Sequence, residues 1–140
     1  MVSKIFVDSD VIIDLFTDRS PFANHASLLF ELNEQNLLKI YVSAVSINNI
    51  YYIVRKYLGH KKTLNVIKEL TEITEIVGTT RQEIVQALEN NFKDFEDSIQ
   101  YSTALIIDGV DAIITRNTKD FANSHIAIFT ADNYIKSRNK

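Results

Sequence analysis

Three aspartates, Asp8, Asp10 and Asp14, interrupt the apolar run KIFVDSDVIIDLF over residues 4–16. The segment SKIFVD is short, apolar and β-branched, which predicts a buried strand whose carboxyl end carries Asp8. Asp10 falls in the first turn of the helix that follows. Farther along, Asp94 and Asp97 are spaced to share one face of a helix, and Asn117 and Asp120 follow another strand-like segment, DAIIT. Carboxylates gathered on one face repel unless a cation sits between them. Hard divalent ions prefer oxygen donors and need only one or two carboxylates plus water. Asp8 with Asp10, Asp94 with Asp97, and Asn117 with Asp120 could therefore place oxygen ligands for a cation such as Mg²⁺ around one point, from three separate segments.

Each acid also has a plainer reading. Asp8 or Asp10 can cap a helix, Asp94 and Asp97 can complement a helix dipole, and Asp120 can cap a turn. Asp14, Asp18 and Asp132 are assigned solvated or capping roles. The metal reading rests on the set, because the elements around it bring strand ends together.

Those elements alternate. After the first strand, Ser9 or Asp10 caps a helix through about residue 17, and Ser20 with Pro21 opens a second over about 21–36. LLKIYVSA reads as a strand, with Ser43 or Ser46 capping a helix that Gly59 stops in the left-handed cap position. A further helix runs from His60 to about Glu72, then a short strand near EIV, then a helix with a Thr80–Glu83 capping box. DFEDSIQYSTALIID is a helix over about 94–107; DAIITR and IAIFT are strands separated by a turn at KDFA; ADNYIKSR is a terminal helix. Short apolar strands alternating with helices predict an α/β fold: a three-layer α/β/α arrangement around a mostly parallel sheet of four or five strands. Ligands in such sheets collect at the carboxyl ends of the strands, where several of these acids fall.

Composition narrows the classes. A chain of 140 residues, 46% apolar and 24% charged, with one proline, three glycines and no linker or repeat, reads as one domain spanning 1–140. With no cysteine there is neither a disulfide framework nor a thiolate metal site. No segment approaches the roughly 18 apolar residues that would span a bilayer, and the expected location is the cytoplasm. A net charge of −3 argues against wrapping nucleic acid by bulk charge alone, yet an enzyme that holds cations carries such an acidic excess.

The set of segments resembles the PIN domain, a family of metal-dependent ribonucleases that includes the VapC-type toxins of toxin–antitoxin pairs. FVDSDVIIDLF is similar to the family's opening strand and helix, VSAVSINNIYYIVRK to its second motif, DFEDSIQYSTAL to its third and IITRNTKDF to its closing one. The resemblance implies a Mg²⁺- or Mn²⁺-dependent endoribonuclease in which Asp8, Asp97 and Asp120 are catalytic and Asp94 adds a ligand. Asp10, Asn49, Thr115 and Asn117 would be weak ligands or would orient ligands and phosphate. Arg55, Lys56, Arg116 and Lys119, with Lys61 and Lys62, are candidates for the RNA backbone. It further implies a homodimer and an antitoxin protein as partner. Two positions depart from the family pattern: Asn49 stands about where a glutamate is usual, and Asn117 replaces an acid. An amide keeps an oxygen ligand but removes a negative charge, which weakens divalent-metal binding.

Two rivals follow. A PIN domain degenerate at Asn49 would bind RNA or protein without cutting. Alternatively, DSDVI matches the D-x-D start of haloacid dehalogenase-like phosphatases, with a nucleophilic first Asp and an acid/base second. That family needs a downstream lysine followed by an acidic motif, whereas here Lys119 comes late and only Asp132 follows it.

Overall fold

Ile5 and Val7 point to one side of the first strand and Phe6 to the other, and all three are fully buried. A strand buried on both faces needs helices above and below it, and the computed structural model, which describes residues 2–139, has that arrangement. The elements in chain order are β1 (Ser3–Val7), α1 (Ser9–Phe16), α2 (Phe22–Glu34), β2 (Leu38–Ser43), α3 (Ala44–Ile73), β3 (Glu75–Val77), α4 (Arg81–Glu89), α5 (Phe95–Ala104), β4 (Ala112–Ile114), a 3₁₀ turn (Thr118–Phe121), β5 (Ala127–Phe129) and α6 (Ala131–Arg138). The five strands form one sheet in the order β3-β2-β1-β4-β5, and every pairing is parallel.

Ile5, Val7, Ile40, Val42, Ala112 and Ile114 pack on one side with Val11 and Ile12 of α1, Leu29 of α2 and Ile50 and Val54 of α3. Phe6 and Ile113 pack on the other with Tyr101 and Ala104 of α5 and with Phe121. Fully burying a side chain such as Phe6 contributes on the order of 2–3 kcal/mol, so these two layers supply much of the fold's cohesion. Among the described residues no helix is long and apolar enough to cross a membrane.

Several local expectations meet small corrections at element ends. The first helix is capped by Asp8 itself, not by Ser9 or Asp10, because β1 stops at Val7 and the Asp8 carboxylate accepts the Ser9 backbone N–H. Ser43, not Ser46, caps α3 by accepting from Val45 N–H at 3.1 Å. Helix α2 starts at Phe22, with Pro21 in the cap position rather than the first turn. At Gly59, φ +79°, the helix breaks and His60 starts the next, as the sequence reading has it, so α3 is two helical runs joined at a kink. Glu83 accepts both the backbone N–H and the hydroxyl of Thr80, at 2.7 and 2.6 Å, and so ties down the start of α4.

From β1 the chain moves outward through β2 and β3, then crosses back to lay β4 and β5 on the opposite side of β1. The direction of winding therefore reverses between β1 and β4. Open parallel sheets have their ligand crevice outside the carboxyl ends of the strands at such a point.

Candidate active site

The register pairs Val7 with Ile114, so the next residues, Asp8 and Thr115, sit side by side just beyond the sheet. Both are buried, Asp8 at 5% exposure. Asp8 Oδ1 accepts from Ser9 N–H at 2.8 Å and from Gln100 Nε2 at 3.1 Å, while Oδ2 accepts from the Thr115 hydroxyl at 2.9 Å. Burial pushes the Asp8 carboxyl above its usual range against the pull of these donors, and the charge of Asp120 pushes the same way.

Two residues on, Asp10 Oδ2 accepts from the backbone N–H of Arg116 at 3.2 Å and faces the Thr115 hydroxyl at 3.5 Å. Its Oδ1 is buried without a hydrogen-bond partner among the described residues. Burial, and after it the charge of Asp8, raises the Asp10 pKa to about 7. Asp97, on α5, is raised to about 7 as well, by burial first and then by Asp8, Asp94, Asp120 and Glu96. Asp94 caps α5, accepting the Asp97 backbone N–H at 3.1 Å. The structural role considered for Asp94 is thus present, and the residue also lines the cleft formed by these groups.

These groups line one open cleft of about 410 Å³. Seven carboxylates contribute to its walls (Asp8, Asp10, Asp14, Asp94, Glu96, Asp97 and Asp120) against the two guanidiniums of Arg19 and Arg116. Among the described residues no three His, Asp or Glu side chains converge tightly enough to grip an ion. The donor set nevertheless fits a hard divalent cation. It is all oxygen, it is mutually repulsive, two of its members hold protons close to neutrality, and Asp10 presents a buried carboxylate oxygen with nothing to bond.

The other sequence-predicted residues divide. Asn49 and Asn117 line the cleft, Asn49 within 3.5 Å of the Ser9 hydroxyl. The Thr115 hydroxyl, which donates to Asp8, also accepts the Asn117 backbone N–H at 3.1 Å. Arg55, Lys56 and Lys119 are exposed and lie outside the cleft walls, and Arg55 rests over the rings of Tyr51 and Tyr52. Arg116 does reach the cleft, but its Nε lies 2.6 Å from Asp14 Oδ2. Asp14 therefore has neither the solvated nor the capping role expected of it: it is 1% exposed, and its charge is balanced by Arg116. That pairing joins residues far apart in the chain, so spacing along α1 could not reveal it.

Four contributors are not placed at the site by the sequence reading: Arg19, which lines the cleft, and Glu96, Ser46 and Gln100. Glu96 adds a carboxylate, raised by burial and by Asp8 and Asp94, inside the same DFED segment as Asp94 and Asp97. Ser46 and Gln100 form a buried chain behind Asp8: Gln100 Nε2 donates to both Ser46 Oγ, at 2.7 Å, and Asp8 Oδ1. The available signal was a glutamine on the inner face of α5, where Tyr101 and Ala104 are also buried. Replacing Gln100 with Leu is expected to lower any activity of the cleft roughly 10–100-fold, as loss of a ligand-orienting partner typically does. Urea denaturation of the same variant should show a stability change within about 2 kcal/mol, which separates loss of orientation from unfolding.

The model of the family described as PIN domain matches residues 4–119. This chain belongs to the PIN domain family. Among curated proteins, the PIN domain is 31% identical over 141 residues to Ribonuclease VapC1 of Aquifex aeolicus (strain VF5), covering 97% of this chain and 96% of that one. Its fold matches a toxin–antitoxin complex from Klebsiella pneumoniae with a TM-score of 0.67 at 22% identity, covering 91% of this chain and 97% of that one. It also matches DNA-bound VapBC from Salmonella typhimurium with a TM-score of 0.69 at 16% identity, covering 94% and 99%. A third match is Mycobacterium tuberculosis VapC20, described as a sarcin-ricin loop cleaving toxin, with a TM-score of 0.60 at 14% identity, covering 78% and 86%. Membership of the PIN family sets aside the dehalogenase-like phosphatase reading.

Proposed function

We propose that this PIN domain is a metal-dependent endoribonuclease that hydrolyses RNA phosphodiester bonds and acts as the toxin of a toxin–antitoxin pair. The observation that carries the proposal is the set of buried or half-buried carboxylates Asp8, Asp10 and Asp97 in one cleft at the sheet's switch point, whose pKa values are raised first by burial and then by one another's charge and that of neighbouring acids. The family, and the relative named as a ribonuclease at 31% identity, support it.

In this reading Asp8 and Asp97 hold Mg²⁺ or Mn²⁺ with help from Asp94 and Asp120, and Glu96 adds negative charge close by. The ion's chemistry there is to lower the pKa of a bound water and to offset charge that develops on the phosphate. Thr115 fixes Asp8 and stands within reach of Asp10, so one hydroxyl keeps the two carboxylates in register. Asn117 and Asn49 present amides toward the phosphate, and Arg19 and Arg116 are the cations nearest the path of the RNA backbone. The structural neighbours solved as toxin–antitoxin complexes support an antitoxin protein as partner. A homodimer and a cytoplasmic location complete the proposal.

The test is direct. Purified protein should cleave single-stranded RNA in Mg²⁺ or Mn²⁺, stop in EDTA, and lose at least about 100-fold in rate as Asp97→Asn while keeping its circular dichroism. Cleavage that persists in EDTA, or in that variant, overturns the assignment. RNA binding without cleavage by the unaltered protein would favour the binding-only reading, for which Asn49 in place of an acid is the specific observation.

A further inference from the structure

On the far side of Arg116 from the acidic cleft lies a second cavity of about 310 Å³, sharing Asp14, Arg116 and Asn117 with it. Its size falls within the roughly 300–1,000 Å³ of small-molecule sites. Val11 and Ala131 give it an apolar floor, and Phe22 forms a wall over which the Arg116 guanidinium lies 4.9 Å from the ring centroid. Its polar end is made by His25, Thr130 and Asp132. None of these three belongs to the machinery described above.

We propose that this cavity is a nucleobase subsite that receives the base next to the scissile phosphate and prefers guanine. The proposal rests on the ribonuclease reading for its substrate, since a phosphate seated in the acidic cleft puts the adjoining base within reach of the shared wall. Single-stranded RNA is recognised by stacking splayed bases on aromatic rings or guanidinium planes and by hydrogen bonds to their edges. Phe22 and Arg116 offer that plane. The edge is set by Asp132, which as a carboxylate can only accept hydrogen bonds. Guanine alone among the four bases presents two adjacent N–H donors, N1–H and the N2 amino group, on its Watson–Crick edge. Asp132 is half-exposed: Oδ2 holds Lys136 at 3.0 Å, and among the described residues Oδ1 has only the more distant His25 Nε2 at 3.9 Å. A base edge can therefore bond Oδ1 and share Oδ2 without breaking a buried pair. The Thr130 hydroxyl accepts the Asn133 backbone N–H at 3.2 Å, which leaves its own proton free to donate toward a guanine acceptor.

Nucleoside 5′-monophosphates titrated into the protein in Mg²⁺ buffer, with the His25 ring signals followed by NMR, test this without requiring cleavage. GMP should shift His25 with an affinity at least about tenfold above that of CMP or UMP, the scale of one good bidentate contact. Asp132→Asn should remove that preference, and Phe22→Leu should weaken all four nucleotides together. Equal response to the four, an unmoved His25, or titrations unchanged in both variants overturns the subsite and leaves the cavity to a partner protein. GMP preference in a chain that does not cut RNA would instead sink the ribonuclease reading and keep the subsite.

Discussion

Replacing Asp8 with asparagine is expected to abolish RNA cleavage and, in the same protein, to raise its thermal stability at neutral pH. The two effects have one cause. Asp8 sits where burial opposes its charge and where Asp120 adds repulsion, so the folded state carries a penalty for the ionised carboxylate that the unfolded chain does not. Asparagine keeps the shape and removes the charge. It also keeps the local bonds: Asn and Asp are comparable N-caps, and the side-chain oxygen can still accept from Ser9 N–H and Gln100. The new amide would face Thr115, whose hydroxyl can then turn its proton toward Asp10 Oδ2, 3.5 Å away. We expect a gain of roughly 1–2 kcal/mol, seen as a melting temperature higher by about 3–8 °C in EDTA. Cleavage should fall by at least about 100-fold, because a metal ligand and its negative charge are lost together. A melting temperature that drops, or cleavage within a few-fold of the unaltered protein, contradicts this account of Asp8.

That residue also shows how far the chain could be read without its structure. The alternation of strands and helices, and the placing of Asp8 at a strand's carboxyl end, follow from local periodicity and turn chemistry, and the five-stranded parallel sheet agrees with them. What periodicity cannot give is pairing at a distance. Asp8 meets Thr115 only because β1 lies beside β4 with Val7 opposite Ile114. Asp14 looked solvated because its partner, Arg116, comes from the loop after β4. Gln100 was passed over for a related reason. Helix α5 turns Ser98, Gln100, Ser102 and Thr103 inward beside Tyr101 and Ala104 while Phe95 stays exposed, so its buried side is mostly polar and apolar spacing does not mark it. Polar residues buried behind a site leave no periodic trace, since each is specified by a hydrogen-bond partner and not by a common face.

In metal-free buffer the protein should be less stable at about pH 8 than at about pH 5, the reverse of what paired carboxylates produce. Asp10 and Asp97 have pKa values near 3.8 when unfolded and about 7 when folded. Between those limits the unfolded chain releases protons that the folded one retains, so each rise in pH favours unfolding until both groups have ionised in the fold. Their contribution is complete below about pH 4 and lost by somewhat above pH 7. Glu83 works the other way, since its bonds from Thr80 lower its pKa below the ordinary 4.5 of a glutamate, so its contribution falls away only on the acid side of this window. Asp97 is partly solvated and its share is discounted for screening, which leaves roughly 1–2 kcal/mol for the pair, or about 3–8 °C between the two pH values in EDTA. Saturating Mg²⁺ or Mn²⁺ should reverse the loss at pH 8, because an ion bound only by the folded state adds about 2.7 kcal/mol at one hundred times its Kd. The same addition at pH 5 should do much less, since protons already occupy the oxygens the ion needs. Asp10→Asn and Asp97→Asn should each flatten the pH profile of the metal-free protein, and Asp97→Asn should in addition blunt the response to metal. A melting temperature that climbs from pH 5 to 8 in EDTA, with no response to either ion, would mean that the acids in the cleft are relieved by something other than a cation.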